Sequence, residues 1–140
     1  MNNSIIRRIK SRDIQFAVFD GKNLIEGKGI GVKPIVTPMR ENQDYFKGKE
    51  VYDTIIGKAA AMLLAYSGAT SVYGEVMSEH AVNMLKQNGI KYQYESLVPY
   101  IKNREHDGMC PLEEAVRNED NLENAFDLIE KCIAELMNKH

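Results

Sequence analysis

Tyr52-Asp53-Thr54-Ile55-Ile56-Gly57-Lys58-Ala59-Ala60-Ala61-Met62-Leu63-Leu64-Ala65-Tyr66 decides how this chain is layered. Ile55, Ile56 and the run from Ala59 to Ala65 are apolar nearly all round, which predicts a helix over Tyr52 to Tyr66, buried on most faces and central to the molecule. Gly57, Ala59, Ala60 and Ala61 are small enough to pack closely on a sheet, and Gly68 supplies a C-terminal stop. The only charges in the stretch, Asp53 and Lys58, fall near the expected helix start. Two roles are open to them: Asp53 caps the helix while Lys58 reaches along its own stem to water, or both line a cavity at the helix end.

Upstream, Ile14 to Phe19 reads as a strand, Asp20-Gly21-Lys22-Asn23 as a turn and Leu24 to Lys28 as the returning strand, a hairpin signalled by Asp-Gly at its tip. Ser4 to Arg12 places Ile5, Ile6 and Ile9 among basic residues, a one-face helix expected to act as a lid or edge element. Gly27, Gly29 and Gly31 loosen the chain before Pro34, and a helix from about Ile35 to Phe46 follows despite Pro38. These glycines precede neither Gly-Lys-Ser/Thr nor a Gly-x-Gly-x-x-Gly helix start, so a connecting turn is expected rather than a nucleotide cradle.

Downstream, Ser71 to Met77 is a strand, Ser78 a cap, Glu79 to Asn88 a helix ended by Gly89, and Ile90 to Val98 a long β-type segment. The last helix, about Asn121 to Asn138, carries Leu122, Ala125, Phe126, Ile129, Ile133 and Leu136 on one face, to be set against the sheet or a partner subunit. The order is hairpin, helix, strand, helix, strand. Strands separated by helices favour parallel neighbours and an α/β sandwich with binding residues at strand ends and helix starts.

With 140 residues, the chain is expected to form one domain, 1–140, able to bury roughly 70% of its unfolded surface. Eighteen basic and 20 acidic residues leave a net charge of −2, which offers no broad attraction for nucleic acid or anionic membrane. Tyr92, Tyr94 and Tyr100 with Lys91, Lys102 and Arg104 form only a small basic and aromatic patch, and packing on the sheet is the expected use of those tyrosines. Two cysteines make no disulfide framework. With neither a cleavable leader nor a long apolar span in the sequence, a cytoplasmic protein with reduced thiols is expected.

Chemistry is densest in Leu97-Val98-Pro99-Tyr100-Ile101-Lys102-Asn103-Arg104 and in Met109-Cys110-Pro111-Leu112-Glu113. Pro111 suits a first helical position, which makes Cys110 a helix N-cap, and Glu113 stands where it can reach back to free backbone donors. Free N–H groups, the helix dipole and a nearby Lys102 or Arg104 would favour a thiolate. An ordinary capping thiol is the alternative. Asn103, an amide between two cations, can orient a ligand or hold its own loop. Cys132, in the periodic last helix, is expected to have a core or surface role.

These residues together carry a resemblance. Asp53-x-x-x-Gly57-Lys58-Ala59-Ala60-Ala61, the strand Val72 to Val76 with Ser78-Glu79, and Leu97 to Arg104 through Gly108-Met109-Cys110-Pro111-Leu112-Glu113 resemble a small prokaryotic family of uncharacterised domains whose fold is similar to cytidine deaminase. The likeness covers roughly residues 14 to 116. It implies a three-layer α/β/α sandwich with a mixed sheet starting at the hairpin. The buried helix and the helix after it would take the places that present zinc ligands in true deaminases. Those enzymes need His or Cys with a catalytic Glu on one helix and Pro-Cys-x-x-Cys on another. Here Gly57-Lys58-Ala59 and Ser78-Glu79-His80-Ala81 stand instead, and His80, His106 and His140 read as surface residues. Neither metal nor cofactor is therefore expected.

Two function classes follow. In one, Cys110 is a nucleophile, Lys58 and Arg104 hold an anionic metabolite or nucleotide, and Asp53 or Glu113 moves protons. In the other, a regulatory domain binds a nucleotide-like anion without turnover, through Lys58 and a helix N-terminus. Gly57, Asn103 and Arg104 complete the expected ligand-binding set, and dimerisation is expected from exposed sheet edges and the amphipathic last helix.

Overall fold

In a computed structural model, residues 1–27, 29, 31–103 and 105–138 are described. Their elements run α1 (Asn3–Lys10), β1 (Phe16–Phe19), β2 (Leu24–Gly27), α2 (Lys33–Glu41), β3 (Glu50–Ile56), α3 (Lys58–Ser67), β4 (Ser71–Ser78), α4 (Glu79–Gln87), β5 (Lys91–Val98), α5 (Pro111–Ala115) and α6 (Leu122–Asn138). The five strands form one mixed sheet in the order β2-β1-β3-β4-β5. The hairpin β1/β2 and the pair β1/β3 are antiparallel, and β3, β4 and β5 are parallel. No helix among the described residues is long and apolar enough to cross a membrane.

The stretch expected to be one helix is two elements. Its first part, with β-branched Thr54, Ile55 and Ile56, continues Val51 and Tyr52 as strand β3, and only from Lys58 does the alanine-rich part wind into α3. A run apolar on all sides lacks the periodicity that separates a buried strand from a buried helix. The chain thus has one more strand than its sequence order suggested, and Asp53 sits inside that strand. The hairpin forms as expected because Asp20 Oδ1 accepts from the N–H groups of Lys22 (2.9 Å) and Asn23 (2.7 Å). Strand β2 ends at Gly27; Lys28, expected to close it, lies outside the described residues. Helix α2 starts two residues earlier than expected and stops at Glu41, where Asn42 Oδ1 accepts from Asp44 N–H at 3.1 Å and turns the chain before Phe46.

The sheet separates two apolar clusters. On one face Ile5, Ile6 and Ile9 of α1 pack with Ile14, Ala17, Tyr52 and Tyr73; α1 is thus a packed layer, not a lid or an edge. Asn2 caps it, its Oδ1 accepting from Ser4 and Ile5 N–H. The other face is covered by the remaining helices around Leu63, Leu64, Met77 and Leu85. Helix α6 buries Ala125, Ile129 and Ile133 in this second cluster against α3, so its apolar face meets a helix of its own chain rather than the sheet.

Strands β3 and β4 change phase together. Val51 and Ile56 both face the larger cluster, as do Val72 and Met77, although the members of each pair stand five positions apart. A regular strand would send such residues to opposite faces. The rungs on either side, Asp53↔Gly74 and Ile55↔Val76, stay in step, so both strands are offset at the same level. Gly74 permits this: a Cβ there would lie 2.9 Å from Ile56 Cγ1 and 3.1 Å from Met77 Cγ.

Candidate functional site

Helix α3 follows β3 through the single residue Gly57, and α4 follows β4 directly from its cap Ser78, whose Oγ accepts from Ala81 N–H at 3.1 Å. The starts of α3 and α4 therefore lie side by side at the C-terminal ends of the parallel strands, where open α/β sheets present ligand sites. Among the described residues the buried charged side chains are Asp53, Lys58 and Glu113, of which Lys58 opens α3 at this end.

Glu113 does not reach back along its own short helix. Its carboxylate crosses to α3, where Oε1 accepts from Lys58 N–H at 2.6 Å and Oε2 from Ala59 N–H at 2.8 Å. One side chain thus satisfies two of the amides that a helix start leaves free, and its negative charge sits at the positive end of the dipole. The approach requires glycine at the cap: a Cβ on Gly57 would stand 1.9 Å from Glu113 Oε1 and 2.4 Å from its Cδ. Burial pushes the Glu113 carboxyl above its ordinary range. The two amides and the charges of His80 and Lys58 pull it partly back.

Lys58 is buried rather than stretched to water, and its ammonium donates to the Arg117 carbonyl at 3.1 Å, with Asp120 Oδ1 at 3.8 Å. Lys58, Glu113, His80, Tyr100, Met109 and Arg117 line a small cleft of about 10 Å³, room for one water. His80, Tyr100, Met109 and Arg117 were not picked out from the sequence as its lining. For His80 a signal existed, since the second residue of a helix that follows a parallel strand points to the ligand end of such a sheet.

Cys110 precedes α5 as its N-cap with no side-chain hydrogen bond to the helix, its N–H donates to Ile101 O at 2.9 Å, and it is not among the cleft's lining residues. Asn103 holds its own loop: Nδ2 donates to Asp107 Oδ1 at 2.8 Å, and Oδ1 accepts from Asp107 N–H at 3.2 Å. Arg104 lies outside the described residues. Among the described residues no group of three or more His, Cys, Asp and Glu could hold a metal ion.

Asp53 caps no helix and lines no described cleft. It is buried in β3 at the level where the strands change phase, and its Oδ1 accepts from Thr54 N–H at 2.7 Å. Burial drives its carboxyl well above the ordinary range, against the pull of the Thr54 and Ile55 amides. The carboxylate serves backbone groups at the irregular part of the ladder, a strand-shaping role. Because the folded value is raised, this group's contribution to stability is fullest below the unfolded carboxyl range and is lost as pH rises through the folded value. Asp53→Asn keeps an acceptor for those amides without the charge. In urea titrations from pH 3 to 8 the variant should lose less stability toward neutral pH than the parent; parallel profiles would refute this account.

The family described as "Domain of unknown function (DUF1893)" matches residues 4–133, so the chain belongs to that family. Among solved structures, a crystal structure of a DUF1893 family protein from Thermotoga maritima is similar, with a TM-score of 0.78 and 25% sequence identity; the alignment covers 95% of this chain and 88% of that one. None of the curated proteins matches.

Proposed function

We propose that this DUF1893 domain is a non-catalytic, metabolite-binding regulatory module, built on a fold akin to cytidine deaminase, that recognises the anionic group of a nucleotide-like ligand at the start of α3. The observation that carries this reading is the carboxylate of Glu113 on the Lys58 and Ala59 amides. A helix start that already holds one anion has the geometry to hold another. Glu113 is the resident anion, and a ligand phosphate or carboxylate takes its place when the five-residue α5 moves aside. Lys58, His80 and Arg117 at the cleft then supply positive charge and donors.

The deaminase comparison is supported by the succession of parallel strands and helices after the hairpin. Zinc does not fit this version of the site, because Lys58 places an ammonium and Ala59 and Ala60 place methyl groups where ligands would be needed. A Cys110 nucleophile has less support, since Cys110 is not among the residues lining the cleft with Lys58 and Glu113.

Calorimetric titration with cytidine 5′-monophosphate and with inorganic phosphate tests the reading. Glu113→Gln keeps the side chain's size but removes the competing charge, so it should bind the nucleotide about tenfold more tightly than the parent, a difference of about 1.4 kcal/mol. Equal affinities in the two proteins, or binding by neither, would overturn it.

A further inference from the structure

The two edges of the sheet are not alike. At one side β2 has four residues and ends in glycine, a short edge that resists pairing with another chain. At the other, β5 runs for eight residues, pairs only with β4, and is exposed along most of its length. Lys91 N–H donates inward to Thr70 O, so by alternation the N–H and C=O groups of Tyr92 and Tyr94 point away from β4. Tyr94 and Leu97 are among the large apolar side chains left exposed.

We propose that β5 is an interface for a second copy of this chain, with two β5 strands pairing antiparallel about a two-fold axis through Gln93 to give a continuous ten-stranded sheet. The side-chain pattern selects both the occupant and the register. About Gln93, residue 91 of one copy faces residue 95 of the other, and 92 faces 94. Lys91 then meets Glu95 twice, and Tyr92 meets Tyr94 twice. The two tyrosines already lie on one face with stacked rings 6.4 Å apart, so the interface extends an existing aromatic row. Tyr92 and Tyr94 exchange backbone hydrogen bonds through the groups that point outward. Lys91 and Glu95 fall in the closer, non-hydrogen-bonded position, where side chains interact best.

Charge favours the same arrangement. Glu95 accepts from the Tyr73 hydroxyl at 3.0 Å and has Lys10 at 3.8 Å, which fixes its carboxylate on the α1 face of the sheet. Lys91 makes no ion pair among the described residues and is free to meet it from a second chain. Centring the axis on Glu95 instead would set two carboxylates opposite each other, a destabilising pair.

The test is the mass in solution, by sedimentation velocity of the full chain from 1 to 200 μM. A dimer is expected. Lys91→Glu, a change on an exposed residue, should weaken it at least tenfold, whereas Lys91→Arg, which keeps the charge, should leave it intact. Circular dichroism checks that each variant stays folded. A parent that is monomeric throughout, a dimer unchanged by Lys91→Glu, or one weakened as much by Lys91→Arg would each overturn the proposal.

Discussion

Gly57→Ala should destabilise the protein by about 3 kcal/mol, lowering the melting temperature by about 10 °C in a chain of this size. The glycine has φ −100° and ψ −175°, open to any residue, so the loss has no conformational origin. It comes from contact. The added methyl would occupy the place of Glu113 Oε1, 1.9 Å away, and the carboxylate can yield only by leaving the Lys58 and Ala59 amides. Those two buried donors would then lack their partner. Urea unfolding measures the change, and a loss under about 0.5 kcal/mol, within the range of an ordinary surface substitution, would show that Glu113 is not held as described.

Glu113→Ala should cost a similar amount, about 2–5 kcal/mol, by deleting a buried acceptor with two charge-assisted hydrogen bonds. The two substitutions remove one contact from opposite sides. In the double variant their effects should therefore fall well short of additive, whereas independent sites would sum. The pH profile gives a further check. Because burial raises the Glu113 carboxyl, its contribution is fullest below the ordinary glutamate value and falls as pH climbs through the folded value. The Glu113→Ala variant should lack this decline. If the parent and the alanine variant lost stability in parallel between pH 4 and 8, the burial argument would be wrong.

How much of this was legible in the sequence depended on how far each interaction reaches along the chain. The hairpin was, because Asp20 organises its turn through amides two and three residues away. Helix α4 was legible for the same reason, with Ser78 bonding Ala81. Strand β3 was hidden because Val51, Tyr52, Asp53 and Ile56 are all buried while Ile55 is exposed, a pattern without the alternation that marks a strand. At the site, Glu113 was identified as an acid that seeks helix amides, but sequence spacing pointed to the helix it belongs to. Its actual partners are 55 and 54 residues away, and only tertiary packing chooses between the two helix starts. Asp53 was misplaced by the same ambiguity that turned β3 into helix.

The distance between Glu113 and α3 also bears on the chain as it leaves the ribosome. Helix α3 is the most apolar of the helices, yet its first amides wait for a residue made 55 positions later, and its outer flank waits for α6. A nascent chain ending before Pro111 carries the whole sheet, with α2 and α4 packed beside α3 but the flank that meets α5 and α6 uncovered. Synthesis of residues 111–138 is then the step that closes the molecule, and a pause or nonsense codon before it yields a client for chaperones rather than a smaller stable domain.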